Sequence, residues 1–189
     1  MDSSIRPNFC VLYRKRIVYY KRAKNLKLNS GNNKYERGFI MKKACLIMMI
    51  GVPASGKSSI AKEIAKEVNF EILSADNIRE EITGSVEDQS KNKEVFDIIY
   101  ERLRDNLLKG NNVILDNTNI NKAYRKMVFD KINDIDCLKI GYLCTKNEED
   151  LHRDNLLREH PVPDHTIDKF IRLFEMPSLV EGFDKIILD

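Results

Sequence analysis

The segment Gly51-Val52-Pro53-Ala54-Ser55-Gly56-Lys57-Ser58 places two glycines, a lysine and a hydroxyl residue at the spacing G-x-x-x-x-G-K-[ST]. Glycines at its first and sixth positions let the backbone curl until successive N–H groups converge on one point. Such a point attracts phosphate oxygens, more so when a helix N-terminus follows. Lys57 adds a point charge for the outer phosphates, and the Ser58 hydroxyl is an oxygen ligand for Mg²⁺. Ala54, Ser55, Gly56 and Ser59 complete the set of residues expected to touch the phosphates. The chemistry implied is binding of a nucleoside triphosphate, with ATP and Mg²⁺ as the expected cofactors.

Three further polar clusters begin where short apolar runs or helical patterns end. In Ser74-Ala75-Asp76-Asn77-Ile78-Arg79, the Asp76 carboxylate suits two tasks: taking a proton from an acceptor hydroxyl, or capping the next helix. Arg79, three residues on, shares its helical face. Val113-Ile114-Leu115 delivers Asp116-Asn117-Thr118-Asn119, which reads as a Walker-B carboxylate near Mg²⁺ or as a plain strand-to-helix turn. Arg153, Asn155 and Arg158 run into His160-Pro161-Val162-Pro163, as in a lid closing over a transferring phosphoryl group, or as a solvated helix face. Asn-Lys-x-Asp and Asp-x-x-Gly are both absent, which argues against a GTPase. The length argues against an AAA-type motor with its lid domain and sensor residues. A small kinase that moves a γ-phosphoryl group is the reading left standing.

These clusters need a scaffold that collects loop residues at one edge. Ala44–Ile50 is a continuous apolar run, as expected of a strand buried on both faces. Residues 58–68 carry a helical stripe of Ile60, Ala61, Ile64, Ala65 and Val68. Further strands are expected at 70–73, 113–115, 137–144 and 185–188. Helices are expected after Asp76, over 91–109 and 121–132, and from a Thr145-x-x-Glu148 capping box toward Arg158. A last helix is marked by Ile167, Phe170, Ile171 and Phe174. Alternation of this kind predicts an α/β, doubly wound, mostly parallel sheet with helices on both faces, the P-loop NTPase fold.

The chain of 189 residues suffices for one ordinary domain. Its net charge of +3 divides unevenly: residues 1–40 hold 10 Lys/Arg against 2 Asp/Glu, while the rest holds 22 against 27. The chain therefore divides into a basic extension, 1–40, and a kinase domain, 41–189. Basic residues interleaved with Tyr13, Tyr19, Tyr20 and Tyr35 suit nucleic acid, although a poorly ordered tail has the same composition. The longest apolar run, Ala44–Ile50, is too short for a membrane span, which needs about 20 residues. Cys10, Cys45, Cys137 and Cys144 lack C-x-x-C spacing, so reduced thiols and a cytoplasmic location are expected. His152, His160 and His165 lack metal-ligand spacing, and no structural metal is expected.

Taken together, these residues resemble the kinase domain of 5′-hydroxyl polynucleotide kinases over roughly Ala44 to Leu188. The shared features are Gly51–Ser58, Asp76, Asp116-Asn117-Thr118-Asn119 and Asn155-Leu156-Leu157-Arg158. The family's closing segment is matched by Phe174-Glu175-Met176-Pro177 and Glu181-Gly182-Phe183. The resemblance implies Asp76 as general base, Lys57 and Arg158 as catalytic cations, and Arg153 at the nucleotide. It also implies Arg79, Thr118 and Asn119 on the acceptor side, Ser58 and Asp116 on Mg²⁺, and a 5′-OH end of DNA or RNA as partner. The phosphatase motif Asp-x-Asp-Gly-Thr that accompanies some relatives is absent. Small-molecule and aminoacyl-tRNA kinases share the scaffold, and a non-catalytic nucleotide-binding regulator is a further alternative. An acidic core is awkward for nucleic acid, but folding can still gather Lys122, Arg125, Lys126, Arg153 and Arg172 on one side, which net charge does not decide.

Overall fold

The structure, a computed structural model, describes residues 43–189. The extension read from residues 1–40 lies outside them. Five parallel strands form the sheet: β1 (Ala44–Ile50), β2 (Glu71–Ser74), β3 (Val113–Asp116), β4 (Cys137–Leu143) and β5 (Lys185–Leu188), in the order β2-β3-β1-β4-β5. The apolar run of β1 occupies the centre because only there are both faces covered. Ile47 pairs with Ile114 on one side and Ile140 on the other, and residues 46–50 are fully buried. The chain first builds β2 and β3 on one side of β1, then crosses to β4 and β5. In open α/β sheets such a reversal is where ligands bind, at the carboxyl ends of the strands, here those of β1, β3 and β4.

Among the described residues, six α-helices join the strands: α1 (Lys57–Val68), α2 (Ala75–Thr83), α3 (Asn92–Leu108), α4 (Lys122–Lys131), α5 (Glu148–Leu156) and α6 (Asp164–Arg172). They cover both faces of the sheet, as the alternating pattern requires. Helix α3 presents Val95, Ile99, Leu103 and Leu107 at three-to-four spacing, all buried against the sheet. A Leu103→Ala change there costs about 2–5 kcal/mol, from lost transfer energy and the cavity left behind. Val52, Ile120, Leu151 and Ile167 form a second apolar cluster, which seats α5 and α6 on the phosphate loop. No described helix is long and apolar enough to cross a membrane.

Two caps differ from expectation. Helix α5 begins at Glu148 with Asn147 as its cap: the Asn147 side chain accepts from the Asp150 N–H at 2.8 Å. Thr145 therefore does not open the helix; Asn is the stronger cap and already has the extended backbone a cap needs. Asp76 is not a cap either. The chain turns helical at Ala75 behind Ser74, so Asp76 lies inside the first turn, where a carboxylate still favours the helix dipole.

The closing segment is stapled to the β3–α4 turn. Arg125, 0% exposed, binds Glu181 in a two-pronged pair at 2.6 and 3.0 Å and donates to the carbonyls of Asn119 and Glu175. Glu175 in turn accepts from the Lys122 N–H at 2.7 Å. Arg125 is thus internal and is not among the cations that a surface patch can draw on. Phe183 packs edge-on to Phe129 at 4.8 Å and against Gly141, where a Cβ would meet its ring at 3.2 Å.

Candidate nucleotide and phosphoryl-transfer site

The phosphate loop leaves the end of β1 and enters α1 through Gly56, whose φ of 93° is a left-handed value that glycine adopts without strain. Gly51 is dictated by crowding. A Cβ there would lie 2.6 Å from both the Cys144 carbonyl and the Ser55 hydroxyl. Its N–H donates to the Thr118 carbonyl at 3.0 Å, tying the loop to the turn after β3. Asn119 reinforces the same joint, donating from its side chain to the Met49 carbonyl at 2.8 Å from a left-handed backbone. Ala54 and Gly56 are half-buried, Ser55 is buried, and Ser58 and Ser59 are exposed at the start of α1.

Lys57 is 8% exposed and folds back onto its own loop, donating to the Val52 carbonyl at 2.8 Å. Burial penalises its charged form and lowers its pKa from the ordinary 10.5 to about 8, with Asp116 opposing the shift and Arg158 adding to it. Asp116, at the end of β3, accepts from the Ser58 hydroxyl. Burial raises its pKa, and that hydrogen bond and Lys57 counteract the rise only in part. The hydroxyl and the carboxylate form an oxygen pair of the kind a hard divalent cation takes.

Arg158 follows α5, in a loop closed by Asn155, whose side chain accepts from the Val162 N–H at 3.0 Å and donates to its carbonyl at 2.7 Å. Its Nη1 is buried without a hydrogen-bond partner. Among the described residues no ion pair is made by Lys57 or by Arg158, yet the two cations are close enough to act on each other. Two such charges close to each other, one with an orphaned nitrogen, fit a polyanionic group. The bent loop and the oxygen pair fit it as well.

Asp76 also reaches Lys57 and Asp116 electrostatically. Its carboxylate is 62% exposed and is held at one oxygen by Arg79 Nη1 at 2.7 Å. Arg79 is itself buried, and its second terminal nitrogen donates to Asn92 at 3.1 Å. The guanidinium expected to grip an acceptor phosphate therefore lies beneath Asp76. Arg153 is exposed and bound to Asp150 and Asp154 on its own helix, and Lys126 is held by Asp130. Of the site residues read from the sequence, Lys57, Ser58, Asp116, Asp76 and Arg158 form one electrostatic group, and Thr118 and Asn119 brace it through backbone contacts.

Sequence reasoning missed Lys146. Its Nζ donates to the Ala54 carbonyl at 3.3 Å, pairs with Asp154 at 2.6 Å and stands 4.0 Å from where a Gly56 Cβ would sit. The available signal was its place just past β4, the strand beside β1. Asn117, named in the turn after β3 but given no role of its own, accepts from the Ala75 N–H at 2.9 Å through its side chain and joins the ends of β2 and β3.

Similarity to known proteins follows the same core. In fold the chain is similar to a candidate kinase of Chloroflexus aurantiacus (16% identity, TM-score 0.65, covering 79% of this chain and 86% of that one). It is similar to a chain of the Pnkp1/Rnl/Hen1 RNA repair complex (18%, TM-score 0.61), covering 76% of this chain but 46% of that one. The third is the APS kinase CysC of Mycobacterium tuberculosis in complex with AMPPNP and APS (16%, TM-score 0.57, covering 77% and 88%). No curated protein sequence matches. A family model described as an AAA domain matches residues 46–177, from β1 through the start of the closing segment. The motor set aside on grounds of length shares that family's name, but the described residues hold a single P-loop kinase core.

Proposed function

This chain belongs to the AAA domain family, and on that premise we propose that it is an ATP-dependent phosphotransferase whose acceptor is a 5′-hydroxyl end of DNA or RNA. The observation that carries the phosphotransferase reading is the pair of cations, Lys57 and Arg158, that make no ion pair among the described residues and act on each other at the phosphate loop. Mg²⁺, when bound, neutralises charge on the phosphate oxygens. Ser58 and Asp116 would hold it, and Lys57 would turn from the Val52 carbonyl toward the outer phosphates. Asp76 takes the acceptor hydroxyl's proton as that oxygen bonds to the γ-phosphorus and ADP departs. Arg79 is a positioning residue, fixing one Asp76 oxygen so that the other meets the acceptor. Arg158, carried by the α5–α6 loop, stabilises charge on the moving phosphoryl group.

Support for a nucleic-acid acceptor comes from the polynucleotide-kinase pattern of Asp76, Asp116–Asn119, Arg158 and the closing segment. One observation favours a small acceptor instead: Arg125 is internal, and Lys126 and Arg153 are neutralised by neighbours, which thins the basic surface that nucleic acid requires. Transfer of label from γ-labelled ATP to 5′-OH DNA, 5′-OH RNA, a charged tRNA and common metabolites separates the readings. Labelling of the oligonucleotides is expected. Labelling confined to a metabolite or the tRNA replaces the acceptor, and binding of ATP without transfer to anything leaves a nucleotide-binding regulator.

A further inference from the structure

Helices α5 and α6 present two pairs of potential metal ligands to each other. Glu148 and His152 are four residues apart on α5, Asp164 and Asp168 four apart on α6, so each pair shares one helical face. Both nitrogens of the His152 ring face carboxylates: Nδ1 lies 3.2 Å from Asp164 Oδ1 and Nε2 lies 3.1 Å from Asp168 Oδ1. A neutral imidazole has one N–H, so engaging both carboxylates takes a cation at the second nitrogen, either a proton, which gives the imidazolium, or a metal ion. Ligand atoms of Glu148, His152 and Asp168 all fall within 4.8 Å of one another. His160, beside Glu87, takes no part.

We propose that Glu148, His152 and Asp168 bind a divalent transition-metal cation of the Zn²⁺ class, clasping α5 to α6. Bond lengths of about 2.0–2.2 Å in tetrahedral geometry set ligand atoms roughly 3.4 Å apart, close to the Nε2–Asp168 separation. Glu148 is exposed and closes the third position by turning its side chain. Asp164 then acts one layer out: it accepts from Nδ1–H, fixes the tautomer and aims Nε2 at the metal. An imidazole among carboxylates selects Zn²⁺, Co²⁺ or Ni²⁺ over Mg²⁺, which separates this site from the Ser58–Asp116 pair. The clasp does not depend on the phosphotransferase reading.

The test is titration of the full chain with Co²⁺ in excess Mg²⁺, followed by visible absorption and by competition with Zn²⁺. One equivalent is expected to bind the unmodified chain, be displaced by Zn²⁺, and be lost in His152→Gln and Asp168→Asn. Asp164→Asn should retain the site with affinity lowered about 10–100-fold, as for loss of an outer hydrogen-bond partner. Far-ultraviolet circular dichroism of each variant checks folding, and Asp164→Asn keeps the test open should a ligand variant unfold. Unchanged Co²⁺ binding in folded His152→Gln overturns the proposal. So does an unmodified, folded chain that binds no Co²⁺.

Discussion

Lys57→Met removes the buried charge while keeping the length of the side chain. A lysine that holds its proton only to about pH 8 in the fold, against 10.5 when exposed, carries a charged form roughly 3 kcal/mol costlier in the folded state, at about 1.4 kcal/mol per pH unit. Methionine escapes that penalty but loses the bonds to the Val52 carbonyl and the Ser55 hydroxyl. The carbonyl is not orphaned, because the Ser55 N–H still donates to it at 3.3 Å. The net expectation is a gain of about 1–3 kcal/mol at pH 7. Below pH 8 both folded and unfolded chains keep the proton and the penalty is complete. As pH rises past 8 the folded chain sheds the proton while the unfolded chain holds it toward 10.5, so the wild type regains stability over that window. At pH 10 the penalty is down to about 1 kcal/mol on the same relation. Urea unfolding followed by circular dichroism reads the difference as a midpoint raised on the order of 1 M at pH 7, shrinking by pH 10. Phosphoryl transfer should vanish in the same variant. A lower midpoint for Lys57→Met at pH 7, or a gap that ignores pH, refutes the assigned burial and charge of Lys57.

Asp76→Asn keeps an acceptor for Arg79 but takes no proton; kcat should fall about 10²–10⁴-fold with the melting temperature unchanged, and an unaltered kcat would remove Asp76 from the base role. Arg158→Ala should lower kcat while leaving ATP affinity measured by calorimetry nearly intact, because its charge acts on the moving phosphoryl group. Glu181→Ala strands the fully buried Arg125 without a counter-charge and should cost about 3–5 kcal/mol in urea unfolding; a loss under about 1 kcal/mol would show that the pair is not the anchor of the closing segment. Deletion of residues 1–40 should leave transfer to short acceptors unchanged and, where the acceptor is nucleic acid, weaken binding only at low salt.

Much of the scaffold was legible because its causes are local. The seven apolar residues Ala44–Ile50 suit only a strand covered on both faces, and the stripe on α3 leaves one orientation toward the sheet. The phosphate loop was legible for a similar reason: Gly51 and Gly56 stand where the backbone needs crowding relief and a positive φ. The cap of α5 was misread because Thr145 and Asn147 both suit a cap, and the length of β4 decides which of them the helix begins behind.

By itself, then, the sequence determined the order of strands and helices along the chain, the phosphate loop and the candidate groups for chemistry near it. Those features rest on interactions between residues a few positions apart, where spacing fixes geometry. Tertiary structure alone decided which charges are spent and which stay free. Arg125 and Lys122 read as equivalent cations, yet a partner 56 residues away takes Arg125 inside, whereas Lys122 stays exposed. Arg79 reads as a contact to an acceptor phosphate, and only the fold shows it buried and already paired with Asp76 and Asn92. The meeting of Lys57 with Arg158 likewise depends on how α5 and α6 dock on Val52 and Ile120. Charge pairing between distant segments is set by how the packed core brings chain ends together, and no local spacing encodes it.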